Sequence, residues 1–156
     1  MVKYLLYNDL GYKWEHLTNS SNAYFKGFCL QDGKNISGDE LFRHLTSLTL
    51  NISAFISSLD GHFSLVFEHN NEIFILTDHA NSFPLYYYHD FSVVADTSGL
   101  FSTDFSKGEY KQDFNATIEF IYTGNTIHDK TLLKSWKKTI PGLVSMRINI
   151  GRILSI

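Results

Sequence analysis

The chain has 156 residues, of which 44% are apolar and 19% charged, a balance that predicts a globular fold and excludes a disordered chain. This length is enough for one domain with a sizeable core. The net charge is −3, so the chain lacks the basic surface that nucleic acid or an anionic membrane would attract, and we expect neither as a partner.

Cysteine use and hydropathy predict a cytoplasmic protein. Cys29 is the only cysteine, so no internal disulfide can form. Residues 4–7 are the only apolar run before Asn8, and a run this short does not provide the apolar region of a signal peptide. No run approaches the ~20 apolar residues of a membrane-spanning helix, so we expect no membrane association.

The sequence shows no recognisable motif for a metal or a nucleotide. The histidines have none of the Cys/His spacings of a zinc site, and we interpret them as residues of turns and strand ends. They are His16, His44, His62, His69, His79, His89 and His128. There is also no Walker or dinucleotide-binding glycine motif, so we predict no metal and no cofactor.

The first part of the chain predicts short strands followed by helix. The strands are expected at residues 3–7, 12–17 and 23–30. Ser37 and Glu40 then form a capping-box pattern, which marks the start of a helix. Apolar residues at three- and four-residue steps predict that this helix covers the core: Leu41, Leu45, Leu48, Ile52, Phe55, Ile56 and Leu59. Asn51 lies within this run, so the sequence leaves open whether the run forms one helix or two.

Residues 59–88 predict a three-stranded antiparallel meander. Apolar and polar side chains alternate from residue 63 to residue 68, the pattern of a strand with two different faces. The pair at residues 70–71, Asn-Asn, suits a tight hairpin turn, and the apolar run at residues 73–76 is typical of a strand covered on both faces. A polar connection then leads to Pro-Leu-Tyr-Tyr-Tyr at residues 84–88, which we expect to be the third strand.

The last part of the chain adds a strand, a helix and a final strand. Residues 91–95 predict a strand that pairs back across a turn, and residues 102–113 predict an exposed loop. A second helical stripe follows and ends at Gly124. It consists of Phe114, Ile118, Ile121 and Tyr122. Residues 143–150 alternate as a final strand. The apolar tetrapeptide at residues 153–156 has two interpretations: an ordinary packed strand, or the end of a domain cut from a longer protein.

Motifs in the central stretch point to a known family. Residues 59–64 read Leu-Asp-Gly-His-Phe-Ser, Asp78 ends the second strand of the meander, and residues 84–87 read Pro-Leu-Tyr-Tyr. In this order and spacing they resemble the glutamine-amidotransferase domain found at the N-terminus of asparagine synthetases and their relatives. The resemblance covers roughly residues 59–145.

Further segments carry the same resemblance, with departures. Residues 122–134 and 140–142 resemble the family's Gly…Thr-Leu and Pro-Gly segments, and residues 97–101 resemble its short helical turn. Thr77 stands where the family usually has arginine, and Asn81 where it usually has glycine.

The resemblance implies a specific α+β fold. Relatives of this family form a four-layer αββα sandwich, in which two antiparallel sheets lie face to face with helices outside both, as in N-terminal-nucleophile hydrolases. We therefore expect residues 1–156 to form a single amidotransferase-like domain, the N-terminal part of a longer or partnered synthetase. The residue pattern alone also agrees with a generic α+β domain.

The chemistry that the resemblance implies is missing from the sequence. Amidotransferases of this family use an N-terminal cysteine whose own amine is the base, and Val2 at that point has no nucleophilic atom. The family's arginine clamp, its Asn-Gly oxyanion pair and the Ser-Gly-Gly-x-Asp-Ser loop of its ligase partner are all absent. Cys29 lies on an apolar strand, where cysteine is usually an inert buried residue. We predict no catalytic, cofactor-binding or metal-binding residue.

Three functional hypotheses follow. The first is a degenerate, catalytically silent amidotransferase-like domain that acts as a scaffold for an ATP-dependent amide-forming synthetase domain, in the same or a separate chain. The second is a freestanding protein-interaction or small-ligand-binding module. The third is an active hydrolase with an unorthodox nucleophile. A homo-oligomer is compatible with each of them.

Overall fold

A computed structural model describes residues 2–8, 11–18, 22–47, 52–97 and 111–147. The fold is mixed α+β, with two sheets, mostly strands and few helices. The strands are β1 (Lys3–Leu5), β2 (Trp14–His16), β3 (Ala23–Gln31), β4 (Lys34–Ile36), β5 (Leu59–His69), β6 (Glu72–Thr77), β7 (Tyr86–Tyr88), β8 (Val93–Ala95), β9 (Trp136–Lys138) and β10 (Gly142–Arg147). The helices are α1 (Gly38–Ser47), α2 (Ile52–Ser57) and α3 (Phe114–Thr123).

The chain divides into two compact units. The first unit comprises Met1–Tyr7 and Pro84–Ile140, and the second comprises Asn8–Phe83 and Pro141–Ile156. The first unit holds a four-stranded sheet in the order β1-β8-β7-β9, and the second a six-stranded sheet in the order β10-β6-β5-β3-β2, with β4 paired to β3.

A large hydrophobic cluster of the second unit lies on one face of its six-stranded sheet. Phe25, Leu65 and Leu76 are paired across β3, β5 and β6, so their side chains point to the same face. All three are buried, and Leu41 and Leu45 of α1 belong to the same cluster. Burial of this apolar face against the helix is the main driving force for folding of the unit.

The start of α1 confirms the predicted capping box. Ser37 Oγ accepts a hydrogen bond from the Glu40 amide at 3.2 Å, and Glu40 Oε2 accepts one from the Ser37 amide at 2.9 Å. The apolar run forms two helices, α1 and α2, which is one of the two alternatives that the sequence left open. Leu48 and Asn51 lie outside the described residues. The stripe ends before Leu59, which begins β5 instead.

The predicted meander is correct for two strands and wrong for the third. β5 and β6 form an antiparallel hairpin, and Asn70 and Asn71 have the positive φ values, 50° and 62°, that its turn requires. The tyrosine strand β7 does not pair with β6. It lies in the other sheet, between β8 and β9. Alternation identifies a strand but not its partner, and the turn after Asp78 separates β7 from the hairpin.

The expectation of two purely antiparallel sheets is also wrong. β1 pairs with β8 in parallel, from Lys3↔Val93 to Leu5↔Ala95. A parallel pair joins segments that are far apart in sequence, so no local pattern announces it. The predicted pairing of β8 with β7 is confirmed, as is the final strand within β10.

Helix α3 confirms the predicted second helical stripe. Asp113 caps its start by accepting a hydrogen bond from the Ala116 amide at 3.0 Å, and Gly124 ends it with a φ of 73°. Most of the predicted loop at 102–113 and most of the helical turn at 97–101 fall outside the described residues, as does the chain after residue 147.

Candidate functional site

Neither position considered for a nucleophile offers one. Val2 leads directly into β1, and residues 2–8 contain no cysteine, serine or threonine. Cys29 lies on β3 with no exposed surface. Burial, together with the nearby Asp60 carboxylate, raises the pKa of the Cys29 thiol to about 12. The thiol therefore stays protonated near neutral pH, and a protonated thiol is a poor nucleophile.

Asp78, the aspartate of the family-like motif, lies buried at the end of β6. Its carboxylate accepts hydrogen bonds from the main-chain amides of Phe63 at 3.1 Å, Ala80 at 2.8 Å and Ser82 at 3.1 Å. The Ser82 hydroxyl also donates to it at 3.1 Å. The carboxylate thus holds the chain after β6 in a closed turn against β5.

A histidine extends this cluster, which sequence reasoning did not find. His62 Nδ1 lies 2.7 Å from Ser82 Oγ. The hydroxyl has one proton and gives it to Asp78, so His62 Nδ1–H is the donor in this contact. Asp78 therefore contacts the serine and not the imidazole, the reverse of a catalytic triad, in which histidine lies between the two. The arrangement orients a loop and does not activate the serine.

The sequence carried only half of the signal for this cluster. An aspartate followed by serine four residues later suggests a side chain that captures nearby amides, as in Asx-type turns. His62 is 20 residues away from Ser82, and only the β5–β6 hairpin brings the two together.

A row of four residues, three of them buried and polar, crosses the six-stranded sheet. Trp14, Lys26, Ser64 and Thr77 are paired across β2, β3, β5 and β6 and so share one face. Lys26 is 3% exposed, and its ammonium lies 5.5 Å from the Trp14 ring centroid and 5.6 Å from that of Phe83. Both rings are within the range of a cation–π interaction, which offsets part of the cost of burying the charge.

The first unit contains a pocket of about 370 Å³, in the size range of small-molecule sites. Its walls combine apolar side chains with a few hydroxyl, amide and ammonium groups. They are formed by Tyr86, Phe120, Asn125, Thr126, Lys130, Thr131, Leu132 and Lys138. Several of these residues lie in the 122–134 segment that resembles the amidotransferase family.

Two lysines set the charge of this pocket. Lys130 Nζ lies 2.6 Å from Glu119 Oε1, and this contact raises the pKa of Lys130 and lowers that of Glu119. The Lys138 ammonium donates to the Thr126 carbonyl at 2.9 Å, a neutral acceptor. The Glu119 carboxylate balances Lys130, and the charges of Asp113 and Asp129 raise the pKa of Lys130 further, so Lys138 is the ammonium of the lining best suited to a small anionic group.

Two structural features are absent from the described ranges. Residues 2–8, 11–18, 22–47, 52–97 and 111–147 contain no group of three or more His, Cys, Asp or Glu side chains placed to hold a metal ion. Within the same ranges, no helix has both the length and the hydropathy to cross a membrane.

Comparison with known proteins identifies no relative. A scan against protein-family models, a search of curated proteins and a search of solved structures find no match to this chain. The geometry of the two units is therefore the basis for any functional conclusion.

Proposed function

We propose that this chain is a degenerate glutamine-amidotransferase-like domain that does not hydrolyse glutamine. In this proposal it is a cytoplasmic scaffold for an ATP-dependent amide-forming ligase domain, located in the same or a separate chain. The observation that carries the proposal is the missing nucleophile. Val2 leads into the first strand without a reactive atom, and the thiol of Cys29 is buried and protonated.

The family-like motifs support the ancestry in this proposal. Residues 59–64 begin β5, Asp78 directly follows β6, and residues 84–87 lead into β7. The Asp78 carboxylate is fully engaged by main-chain amides and Ser82, a structural role that survives the loss of catalysis. The two sheets and the helix packed on the larger one are compatible with the αββα sandwich, which we include in the proposal.

A silent domain has a clear consequence for its ligase. No ammonia would be released from glutamine, so the ligase would use free ammonia or an amine as its nucleophile. The scaffold would then contribute binding and positioning energy but no chemical step.

Ammonia release from glutamine is the first measurement. We expect the purified chain to release no more ammonia than a buffer blank, and the Cys29→Ala and Ser82→Ala variants to match it. Release well above the blank that is lost in either variant would instead support the third hypothesis, an unorthodox nucleophile.

The scaffold role needs a second measurement. A ligase domain encoded with this chain should form amide from ammonium chloride, and removal of the domain should lower its rate or its stability. If rate and stability are the same with and without the domain, the scaffold proposal is wrong, whatever the glutaminase result.

The pocket of the first unit favours a second candidate function, the binding of a small anion. Benzoate is a suitable probe because it combines an apolar ring with one carboxylate. Ligand-observed NMR should detect benzoate bound to the wild type and a clearly weaker signal for Lys138→Met. The control is Lys34→Met, which removes an exposed lysine from β4 and should leave the signal unchanged.

A further inference from the structure

Helix α3 exposes its apolar face. Phe114 is 70% exposed, Ile118 39%, Ile121 73% and Tyr122 84%. These four residues, which we call the α3 stripe, follow one another at three- and four-residue steps and so lie on one side of the helix. Ala116, the buried residue of α3, lies roughly opposite, because each residue advances the helix by about 100°.

The α3 stripe is large for a surface that stays in water. At the observed exposure the two aromatic side chains alone present about 300 Å². The two isoleucines add to this exposed apolar area. Monomeric proteins rarely expose contiguous apolar patches above a few hundred Å², so the α3 stripe exceeds the usual size. Two such faces in contact approach the roughly 1,000 Å² in total that a specific protein interface needs.

We propose that the α3 stripe is the interface between two copies of this chain, packed antiparallel about a two-fold axis near Ile118. The order of side chains supports a second copy as the occupant. Phe114 and Tyr122 lie four residues before and four residues after Ile118, so these three residues of the stripe read aromatic–isoleucine–aromatic from either end, and Ile121 adds apolar area beside them. A two-fold axis at Ile118 places Phe114 of each copy against Tyr122 of the other, and such an interface is self-complementary.

Charge supports the same occupant. The α3 stripe contains no Asp, Glu, Lys, Arg or His, so two copies meet there without like-charge repulsion. The one acidic residue within the helix, Glu119, is directed to Lys130 and the Ile127 amide. A partner recognised through charge would need a complementary group on this face, and the stripe has none.

Sedimentation equilibrium of the full chain tests the proposal. The wild type should show a concentration-dependent mass approaching twice that of one chain. Ile118→Glu and Ile118→Lys should each sediment as monomers, because each places two like charges at the axis. Mixing the two variants should restore a dimer, since a glutamate then faces a lysine. A wild type that is monomeric throughout the concentration series would overturn the proposal.

Matched variants separate this interface from general effects on the fold. Ile140→Glu adds the same charge at an isoleucine that is 43% exposed and lies outside the α3 segment, and it should leave the dimer intact. Tyr122→Ser changes a side chain that is 84% exposed, which cannot support the fold of a single chain, and it should weaken dimerisation. A dimer that survives Ile118→Glu and Tyr122→Ser uses another surface and contradicts the proposal.

Discussion

Ser82 binds Asp78 through two hydrogen bonds. Its hydroxyl donates to Asp78 Oδ1 at 3.1 Å, and its main-chain amide donates to Asp78 Oδ2 at 3.1 Å. Asp78 is 3% exposed, and its carboxylate also accepts hydrogen bonds from the main-chain amides of Phe63 and Ala80. One side chain thus satisfies the donors of the turn that follows β6, and this makes it a sensitive point for stability.

Removal of the Asp78 carboxylate should strongly destabilise the protein. Asp78→Ala leaves one buried and two partly buried amides without this acceptor, and we expect the free energy of unfolding to fall by about 3 kcal/mol. Ser82→Ala removes one donor and should cost about 1 kcal/mol. Urea denaturation measures both. Glu15→Ala, at an exposed carboxylate on β2, is the control, and an equal loss in all three variants would contradict the structural role of Asp78.

Gly27 should tolerate no side chain. Its φ is 100°, and a Cβ there would lie 2.0 Å from the His62 carbonyl oxygen and 2.8 Å from the Phe83 ring. Gly33 has a φ of 74° but open space around it, so Gly33→Ala measures the backbone strain alone, about 1 kcal/mol. We expect Gly27→Ala to cost at least about 2 kcal/mol more by urea denaturation. Equal costs would show that β3 and β5 do not approach so closely at this point.

The Cys29 thiol should be unreactive in the folded protein. Its pKa is raised to about 12 by burial, so the reactive thiolate is scarce at pH 8, and a thiol-specific chromogenic reagent should label it only after unfolding. Ser57→Cys adds an exposed thiol on α2 and should give one fast and one slow reaction. Rapid labelling of wild-type Cys29 would contradict its burial.

The same pKa shift predicts that the protein becomes less stable at alkaline pH. Because the folded pKa is raised, the stability contributed by the neutral thiol is fully present below the ordinary value of 9.0 and is lost as the pH rises toward 12. Cys29→Ala should therefore reduce the loss of stability above pH 9, as measured by urea denaturation at several pH values.

The capping box of α1 should contribute an acid-sensitive part of the stability. The Ser37 amide, and then its hydroxyl, lower the pKa of Glu40 below its ordinary value of 4.5. A lowered folded pKa means that this contribution is present above the ordinary value and is lost as the pH falls through the folded value. Glu40→Gln should reduce the loss of unfolding free energy as the pH falls below the ordinary value, whereas Glu15→Gln, at an exposed carboxylate, should not. Identical acid limbs for wild type and Glu40→Gln would argue against the box.

The sequence by itself determined the local structural features, because each of them depends on groups that are close together along the chain. The Ser37–Glu40 box, the Asn70–Asn71 turn and the αL cap at Gly124 each bring together groups only a few residues apart. The absence of a nucleophile at Val2 also needs no coordinates. Such features follow from side-chain chemistry and allowed φ values, which a reader of the sequence can judge directly.

Only the tertiary structure decided which strands pair and which surfaces remain exposed. The parallel pairing of β1 with β8, the place of β7 in the other sheet and the contact of His62 with Ser82 join residues far apart in sequence. The apolar stripe of α3 has the same periodicity as that of α1, yet one is exposed and the other buried. The periodicity of a sequence shows that one face of a helix is apolar. What covers that face depends on packing energies summed over the whole chain.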